Sequence, residues 1–368
     1  MKDIFKNFDS LKFREGVYIH NKVDNNNIYD KIWDLQGQNM LDGKDWGDNR
    51  HAKLWRFTRN YIDFKDKVVL DAASGLGRFS VTMAEVGAKL VYAVDGSYTG
   101  PKKTYDLIKN KKIPYKDIEK QTPDWQPPTE HALSKAFFEF TADVINLNNL
   151  EKALDKFCFI QANLNNITEL FKPKQFDVII HHMALHHMEY PGRTIEQLSQ
   201  LLKEDGMLIF NFFTPEDLDE IVYIIRDIFI NEKFEYVYKF LGLLGRLHGQ
   251  EPITLDQAHK NISDYFKENQ MPDESMLRMA DKFKKLLEQA VSPETVFKYF
   301  HLEDATTPYL WVIPPKKMVQ FIHNNLPGYK TCILDSTIKT LNDVNKKQSC
   351  PIFILTKGAL PPHVIKLT

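Results

Sequence analysis

The chain has 368 residues, 43% hydrophobic and 26% charged, with a formal net charge of −1. That length supplies interior for one large or two ordinary domains, and the balanced charge excludes a global basic field of the kind that holds a protein on nucleic acid. The three cysteines, Cys158, Cys332 and Cys350, are too few and too scattered for a disulfide framework or a CxxC metal site, so a reducing, cytoplasmic setting is expected.

The opening MKDIFKNFDSLKFREG carries charge throughout and does not read as a signal peptide, and no stretch approaches the roughly 18 uncharged apolar residues that span a bilayer. Residues 1–64 read as an N-terminal helical segment, with HAKLWRFTRNYI as an amphipathic helix. The run Val68-Val69-Leu70 suits a strand buried on both faces. Ser74 to Gly77 is turn chemistry, after which Phe79, Met83 and Val86 recur at helical spacing and Gly87 stops the helix. A second strand, KLVYAVDGS, follows at once. Strand, glycine turn, helix and strand make a βαβ unit and hence a parallel sheet.

Further strands are legible at 157–163, 176–182 and 207–213, with helical patterns around 165–171 and 192–203 between them, and Asp205-Gly206 as the turn into the last. The runs 329–337 and 350–357 read as an antiparallel pair. The core is placed at 65–214, with an insertion at about 98–150 that is too long for one crossover helix, and at 314–368. Residues 215–313 read as a helical cap insertion. It begins at Thr214-Pro215-Glu216-Asp217, whose Leu218, Ile221, Val222, Ile225 and Ile228 form one apolar face, and Ser292-Pro293-Glu294 repeats the start signal. A block leaving the sheet after the strand at 207–213 is expected above the strand C-termini, where open α/β sheets bind ligands.

Chemistry concentrates in DAASGLGRF and AVDGS. Ala73, Gly75 and Gly77 let backbone approach a ligand, the helix beginning near Gly77 offers unpaired N–H groups, and Asp95, at the end of the second strand, is placed to accept both hydroxyls of a ribose. A dinucleotide fingerprint would continue GxGxxG, but the third position is Ser80. Asp71 at the mouth of the turn would repel a pyrophosphate and favour a ligand carrying ammonium and sulfonium charge. Both features point away from NAD.

With these residues the sequence resembles class I, Rossmann-like S-adenosylmethionine-dependent methyltransferases of the small-molecule type. Their DxGxGxG loop corresponds to Asp71-Ala72-Ala73-Ser74-Gly75-Leu76-Gly77, with alanine at the first glycine, tolerable if its φ is negative. The resemblance extends through Gln161-Ala162-Asn163, Phe176–Ile180, Ala184-Leu185-His186-His187 and Leu201–Gly206. It implies an α/β fold with a seven-stranded sheet in the order 3-2-1-4-5-7-6, the last strand antiparallel. S-adenosyl-L-methionine is the implied cofactor: Asp71, Ala73, Ser74, Gly75 and Gly77 hold the methionine end, Asp95 and Gly96 the ribose, Asn163 and Leu164 the adenine side, with His181 beside them. Trp46, ahead of the first strand, reads either as part of a lid over the cofactor or as an ordinary packing residue.

Methyl transfer is an in-line displacement that needs positioning and, for a hydroxyl or ammonium acceptor, a base. His186 and His187, after the fourth strand, are the candidate bases; the alternative for both is structural. His182 and His186 at i,i+4 invite a metal reading, but no HExxH pattern accompanies them, and no metal is expected. There is no N/D-P-P-Y/F motif, no Pro-Cys nucleophile and no paired-glutamate loop, which disfavours nucleic-acid and histone-type acceptors. The expected partner is a small-molecule methyl acceptor (a metabolite, natural product, lipid or sugar) taking the methyl group on a hydroxyl first and an amine second. No nucleic-acid partner is expected, and a homodimer is compatible. The rival readings are a non-catalytic S-adenosylmethionine-binding protein and an NAD-dependent oxidoreductase.

Overall fold

Among the described residues ten short strands pair into one sheet: β1 (Lys12–Arg14), β2 (Val17–Ile19), β3 (Val68–Ala72), β4 (Leu90–Asp95), β5 (Phe157–Gln161), β6 (Phe176–His181), β7 (Leu202–Asn211), β8 (Lys330–Ile333), β9 (Ile352–Thr356) and β10 (Ile365–Lys366), of which the central β3 to β6 are β-branched and aromatic runs buried along nearly their whole length. Their order is β1-β2-β5-β4-β3-β6-β7-β9-β8-β10. Counting from β3, the order 3-2-1-4-5-7-6 lies inside it, and β9 runs antiparallel to β7 and β8. The computed structural model describes every residue except 1, 21–27, 43–49, 59–61, 116–136, 215–219, 248–249, 251–252, 270–272, 291, 299, 301–305, 334–350, 361–364 and 367–368.

The sheet is larger than the seven strands expected, because strands are added at both edges. The N-terminal addition comes from a stretch read as helical. Glu15 (φ 46°) and Gly16 (φ 92°) form a two-residue turn with both residues left-handed, the geometry that joins twisted antiparallel strands. β2 then pairs in parallel with β5. A second correction concerns β7, which begins at Leu202 and runs through the Asp205-Gly206 pair expected to be a turn. Leu202 pairs with Phe176 and Met207 with Val178, so the irregularity is absorbed as a bulge. Gly206 permits it: a Cβ there would lie 2.9 Å from the Phe176 carbonyl oxygen. Lys203 Nζ, 2.9 Å from each Asp177 carboxylate oxygen, holds the bulged segment to β6.

The helices of this part are α1 (Ile28–Asp42), α2 (Arg50–Thr58), α3 (Arg78–Glu85), α4 (Thr99–Lys109), α5 (Ile167–Leu170), α6 (Pro191–Leu201) and, after the insertion, α12 (Pro315–Asn325). Leu70, Tyr92, Ile160, Ile179, Leu198, Phe210 and Phe353 belong to one buried cluster between sheet and helices. α3 ends as its sequence predicts: Gly87, at φ 102°, lets the Ala88 N–H reach back to the Met83 carbonyl at 2.9 Å. Between α2 and α3 lies a buried ionic group. Arg50 Nε and Nη2 donate to the two carboxylate oxygens of Glu85 (3.1 and 2.8 Å), Arg50 Nη1 donates to the Pro114 carbonyl (2.6 Å), and His51 Nε2 lies 2.9 Å from Glu85.

By contacts the chain falls into two compact units, Met1–Asp217 with Trp311–Thr368, and Leu218–Leu310. The second is helical: α7 (Glu220–Phe229), α8 (Phe234–Leu243), α9 (Leu255–Glu268), α10 (Glu274–Gln289) and α11 (Pro293–Lys298). Val222, Ile225 and Ile228 of the expected apolar face are buried, and Phe229, Phe240, Phe283, Phe297 and Phe300 form its aromatic interior. Among the described residues no helix is long and apolar enough to cross a membrane.

Candidate functional site

The βαβ turn is held by backbone geometry that the sequence only partly specifies. The Ala73 and Ser74 N–H groups both donate to the Val94 carbonyl (2.8 and 3.0 Å), folding the turn back onto β4. Gly75 and Gly77 take φ of 51° and 69°. Ala73 is left-handed too, at φ 65°, so the condition of a negative φ is not met; alanine bears about 1–2 kcal/mol of strain that glycine would not. A Cβ on Gly77 would fall 2.4 Å from Thr104 Cγ2, and one on Gly100 2.5 Å from the Gly75 carbonyl oxygen. The turns after β3 and β4 are therefore pressed together.

Asp95 ties them electrostatically. Its Oδ2 accepts from the Gly75 N–H (2.8 Å), and its Oδ1 accepts from the Ser97 N–H (2.8 Å) and hydroxyl (2.7 Å). A carboxylate has about four lone-pair positions, so three protein donors leave room for a ligand hydroxyl. Burial raises its pKa, which these hydrogen bonds only partly offset. Gly96 presents its carbonyl to Gln161 Nε2 at 3.2 Å, and the Ala162 N–H donates to the Asp95 carbonyl at 2.9 Å, placing Asn163 and Leu164 beside Asp95. Asn163 Oδ1 accepts from the Asn165 N–H (2.9 Å), capping a short turn.

Asp71 is buried, and its Oδ2 accepts from the Ser80 hydroxyl at 2.5 Å in the first turn of α3. Burial pushes its carboxyl up to about 6 despite the bonds from Ser80. Because the folded state then keeps a proton that the unfolded chain has released, ionising Asp71 removes stability as pH rises from about 4 to about 6. From this group alone the ligand-free protein is expected to lose up to about 3 kcal/mol across that window. Urea unfolding of wild type and Asp71→Asn at pH 4.5 and 7 checks it; an equal pH response in both would overturn it.

The four histidines separate by environment. His181, fully buried, sets Nδ1 2.9 Å from the Ala72 carbonyl; a carbonyl only accepts, so Nδ1 carries the proton and Nε2 is an acceptor. Burial depresses its pKa to about 4. His182 lies between the rings of Phe57 and Phe79 (centroids 4.7 and 4.8 Å), and burial holds it well below the ordinary histidine range. His186, 1% exposed, stacks on Phe213 at 3.9 Å, and burial followed by the neighbouring histidines keeps it neutral at physiological pH. His187 is half-buried, its ring 4.1 Å from that of His186 and 6.1 Å from Tyr29. Among the described residues no group of three or more His, Cys, Asp or Glu side chains is arranged to hold a metal ion.

Sequence reasoning missed the wall that α1 supplies. Trp33 lies against the turn, its Cζ2 3.4 Å from where a Gly75 Cβ would be, and Tyr29 stacks on Trp33 at 5.9 Å. Asp30, between them, accepts through Oδ1 from the Tyr98 and Thr99 N–H groups (2.7 and 2.8 Å) at the start of α4. Trp46, the residue expected in this role, lies outside the described residues. Four buried polar atoms on these elements have no hydrogen-bond partner among the described residues: Trp33 Nε1, Ser74 Oγ, His181 Nε2 and His186 Nδ1. Orphaned buried groups are uncommon in folded proteins; of these four, Ser74 Oγ belongs to the glycine turn itself and Trp33 packs against Gly75.

Several known proteins are similar to this chain. A malonyl-[acyl-carrier protein] O-methyltransferase of Halalkalibacterium halodurans is 24% identical over 152 residues, 39% of this chain and 53% of that protein, so the match spans about half of the relative's length. A solved S-adenosylmethionine-dependent methyltransferase of Mesorhizobium loti overlays with a TM-score of 0.30 at 16% identity, covering 45% of this chain and 55% of that one. One from Aquifex aeolicus gives 0.34 at 13% identity, covering 52% and 86%. A family model described as a methyltransferase domain matches residues 46–248, more than half of the chain, and the protein belongs to that family.

Proposed function

We propose that the protein binds S-adenosylmethionine between the Gly75–Gly77 turn, Asp95 and Trp33, and transfers its methyl group to a hydroxyl of a small molecule, an amine being the second choice. The observation that carries the reading is Asp95, buried at the end of β4 and bonded both to the glycine turn and to the turn after β4, with acceptor capacity left for a ribose. The residues present fit the group, since the orphaned donors Trp33 Nε1 and Ser74 Oγ face an acceptor-rich amino acid better than they would face nothing. The curated relative's printed name, an O-methyltransferase, accords with an oxygen acceptor.

S-adenosylmethionine, when bound, would supply an electrophilic methyl group, its sulfur keeping the electron pair of the C–S bond as the acceptor oxygen bonds to carbon. The chain's part is positioning and proton removal. Asp95 and the glycine turn fix the adenosine, and Trp33 and Tyr29 exclude water from one side. His187 takes the acceptor's proton. His186, held neutral by burial and stacked on Phe213, orients it.

Calorimetric titration with S-adenosylhomocysteine and with NAD tests the reading: micromolar binding of the first and none of the second is expected, and the reverse overturns it. His187→Ala is expected to lower turnover about 100-fold, the usual contribution of a positioned base, with S-adenosylhomocysteine affinity within twofold of wild type. Parallel loss of turnover and affinity would assign His187 a structural role.

A further inference from the structure

Of the three arginines in the unit Leu218–Leu310, two are satisfied and one is not. Arg226 Nη2 donates to the carbonyls of Thr307 (2.6 Å) and Pro308 (2.9 Å). Arg278 forks the Glu232 carboxylate through Nε (3.0 Å) and Nη2 (2.9 Å). The guanidinium of Arg246 makes no hydrogen bond or ion pair among the described residues, although its Nε is buried. Its central carbon lies 4.0 Å from the centre of the Phe297 ring, and Phe297 is itself buried in the aromatic interior of the unit. A cation–π contact of this kind holds the group in place, yet it neutralises no charge and gives none of the five N–H donors a hydrogen-bond acceptor.

Local structure gives the charge no purpose. Gly245, left-handed at φ 63°, ends α8: its N–H donates to the Gly242 carbonyl (3.1 Å) and the Arg246 N–H to the Leu241 carbonyl (2.9 Å), the paired bonds of a Schellman termination. The residue after that glycine is commonly apolar and packs back on the helix; here it is an arginine. Its side chain does not cap the helix either. Leu241 is served by the backbone of Arg246, Gly242 also by Gln250 Nε2 (3.3 Å) and Leu243 by Asn261 Nδ2 of α9 (3.0 Å). Burial lowers the Arg246 pKa, and no neighbouring carboxylate opposes that shift. A part-buried cation without a counter-charge costs stability, so its placement calls for a partner from outside the chain.

We infer that Arg246, held over Phe297, is an oxyanion-binding site of the helical unit and takes the carboxylate or phosphate group of a small organic ligand. Both groups present two coplanar oxygens that match the guanidinium fork, and either would turn the orphaned donors into charge-assisted hydrogen bonds. Every residue of the site lies within Leu218–Leu310, so the inference stands apart from the S-adenosylmethionine reading.

The test uses the full chain and three probes followed by calorimetry: phenylacetate, inorganic phosphate and the uncharged phenylacetamide. Wild type is expected to bind at least one of the two anions and to discriminate against phenylacetamide; whichever anion binds more tightly identifies the oxyanion. Arg246→Met keeps much of the packing volume over Phe297 and removes the charge, and should weaken that anion on the order of tenfold or more. Arg246→Lys keeps the charge but loses the fork, and should fall between the two. Without anion, the urea midpoint of Arg246→Met should equal or exceed that of wild type, because an uncompensated charge has been removed. Binding of neither anion by wild type, equal binding by wild type and Arg246→Met, or phenylacetamide bound as tightly as phenylacetate would each overturn the inference. So would a clearly lower urea midpoint in Arg246→Met, which would make Arg246 a packing residue of the helical unit.

Discussion

Asp95→Ala is expected to weaken S-adenosylhomocysteine binding by roughly 30- to 150-fold, about 2–3 kcal/mol, the scale of hydrogen bonds to a charged acceptor. The ribose contacts proposed for Asp95 are one part of that loss. The other is internal: the Gly75 and Ser97 N–H groups, both now satisfied by the carboxylate, would be left without an acceptor, and the two turns would lose the group that joins them. Asp95→Ala should therefore also lower the unfolding free energy of the ligand-free protein by about 1–3 kcal/mol. Asp95→Asn separates the effects. It keeps one oxygen acceptor but opposes its own NH2 to a backbone N–H, so an intermediate affinity is expected. Calorimetry and urea unfolding on the two variants measure both terms, and an unchanged affinity in Asp95→Ala would remove the residue from the cofactor site.

Glu85→Ala should cost about 3–5 kcal/mol in unfolding free energy, the largest stability effect expected of any single replacement here, because it strands the guanidinium of the fully buried Arg50. The pair was expensive to bury in the first place. Replacing Arg50 and Glu85 together by methionine should restore most of the loss, and a double variant as unstable as the single one would show that the ion pair itself, rather than its satisfaction, holds α2 on α3. Burial alone would raise the Glu85 pKa; the His51 hydrogen bond and the Arg50 charge outweigh it and hold the carboxyl below its ordinary range. A depressed carboxyl pKa adds stability above the unfolded value of about 4.3, and that stability is lost as pH falls through the lower folded value. The acid limb of the wild-type stability curve should therefore steepen below pH 4 and flatten in the double variant.

The parts of the site that could be read from sequence are those whose cause is local. The glycine turn, the helix it opens and the acid ending β4 lie within about 30 consecutive residues, and their spacing carries their geometry. The strands of the core announced themselves as apolar runs with turn residues between them. The hairpin of β1 and β2 did not, since three residues are too few for an alternation to show. Asp205-Gly206 misled because the same dipeptide serves a turn or a bulge, and only the neighbouring β6 decides between them. Ala73 required knowledge of φ. The wall formed by α1 depends on contacts across 68 and 69 positions in the chain, from Asp30 to Tyr98 and Thr99, and no periodicity reports a contact of that kind.

The direction of β2 has a kinetic consequence. Because it runs parallel to β5, and because the His20 N–H bonds to the carbonyl of Gln161 at the end of that strand, the chain leaves the sheet on the same side as the glycine turn. Only residues 20–27 separate β2 from α1, a leash of at most about 28 Å. Were α1 to let go of α4 so that a nucleoside could enter or depart, it would stay at high effective concentration over the place it left, and its return would be a fast, intramolecular step of small entropic cost.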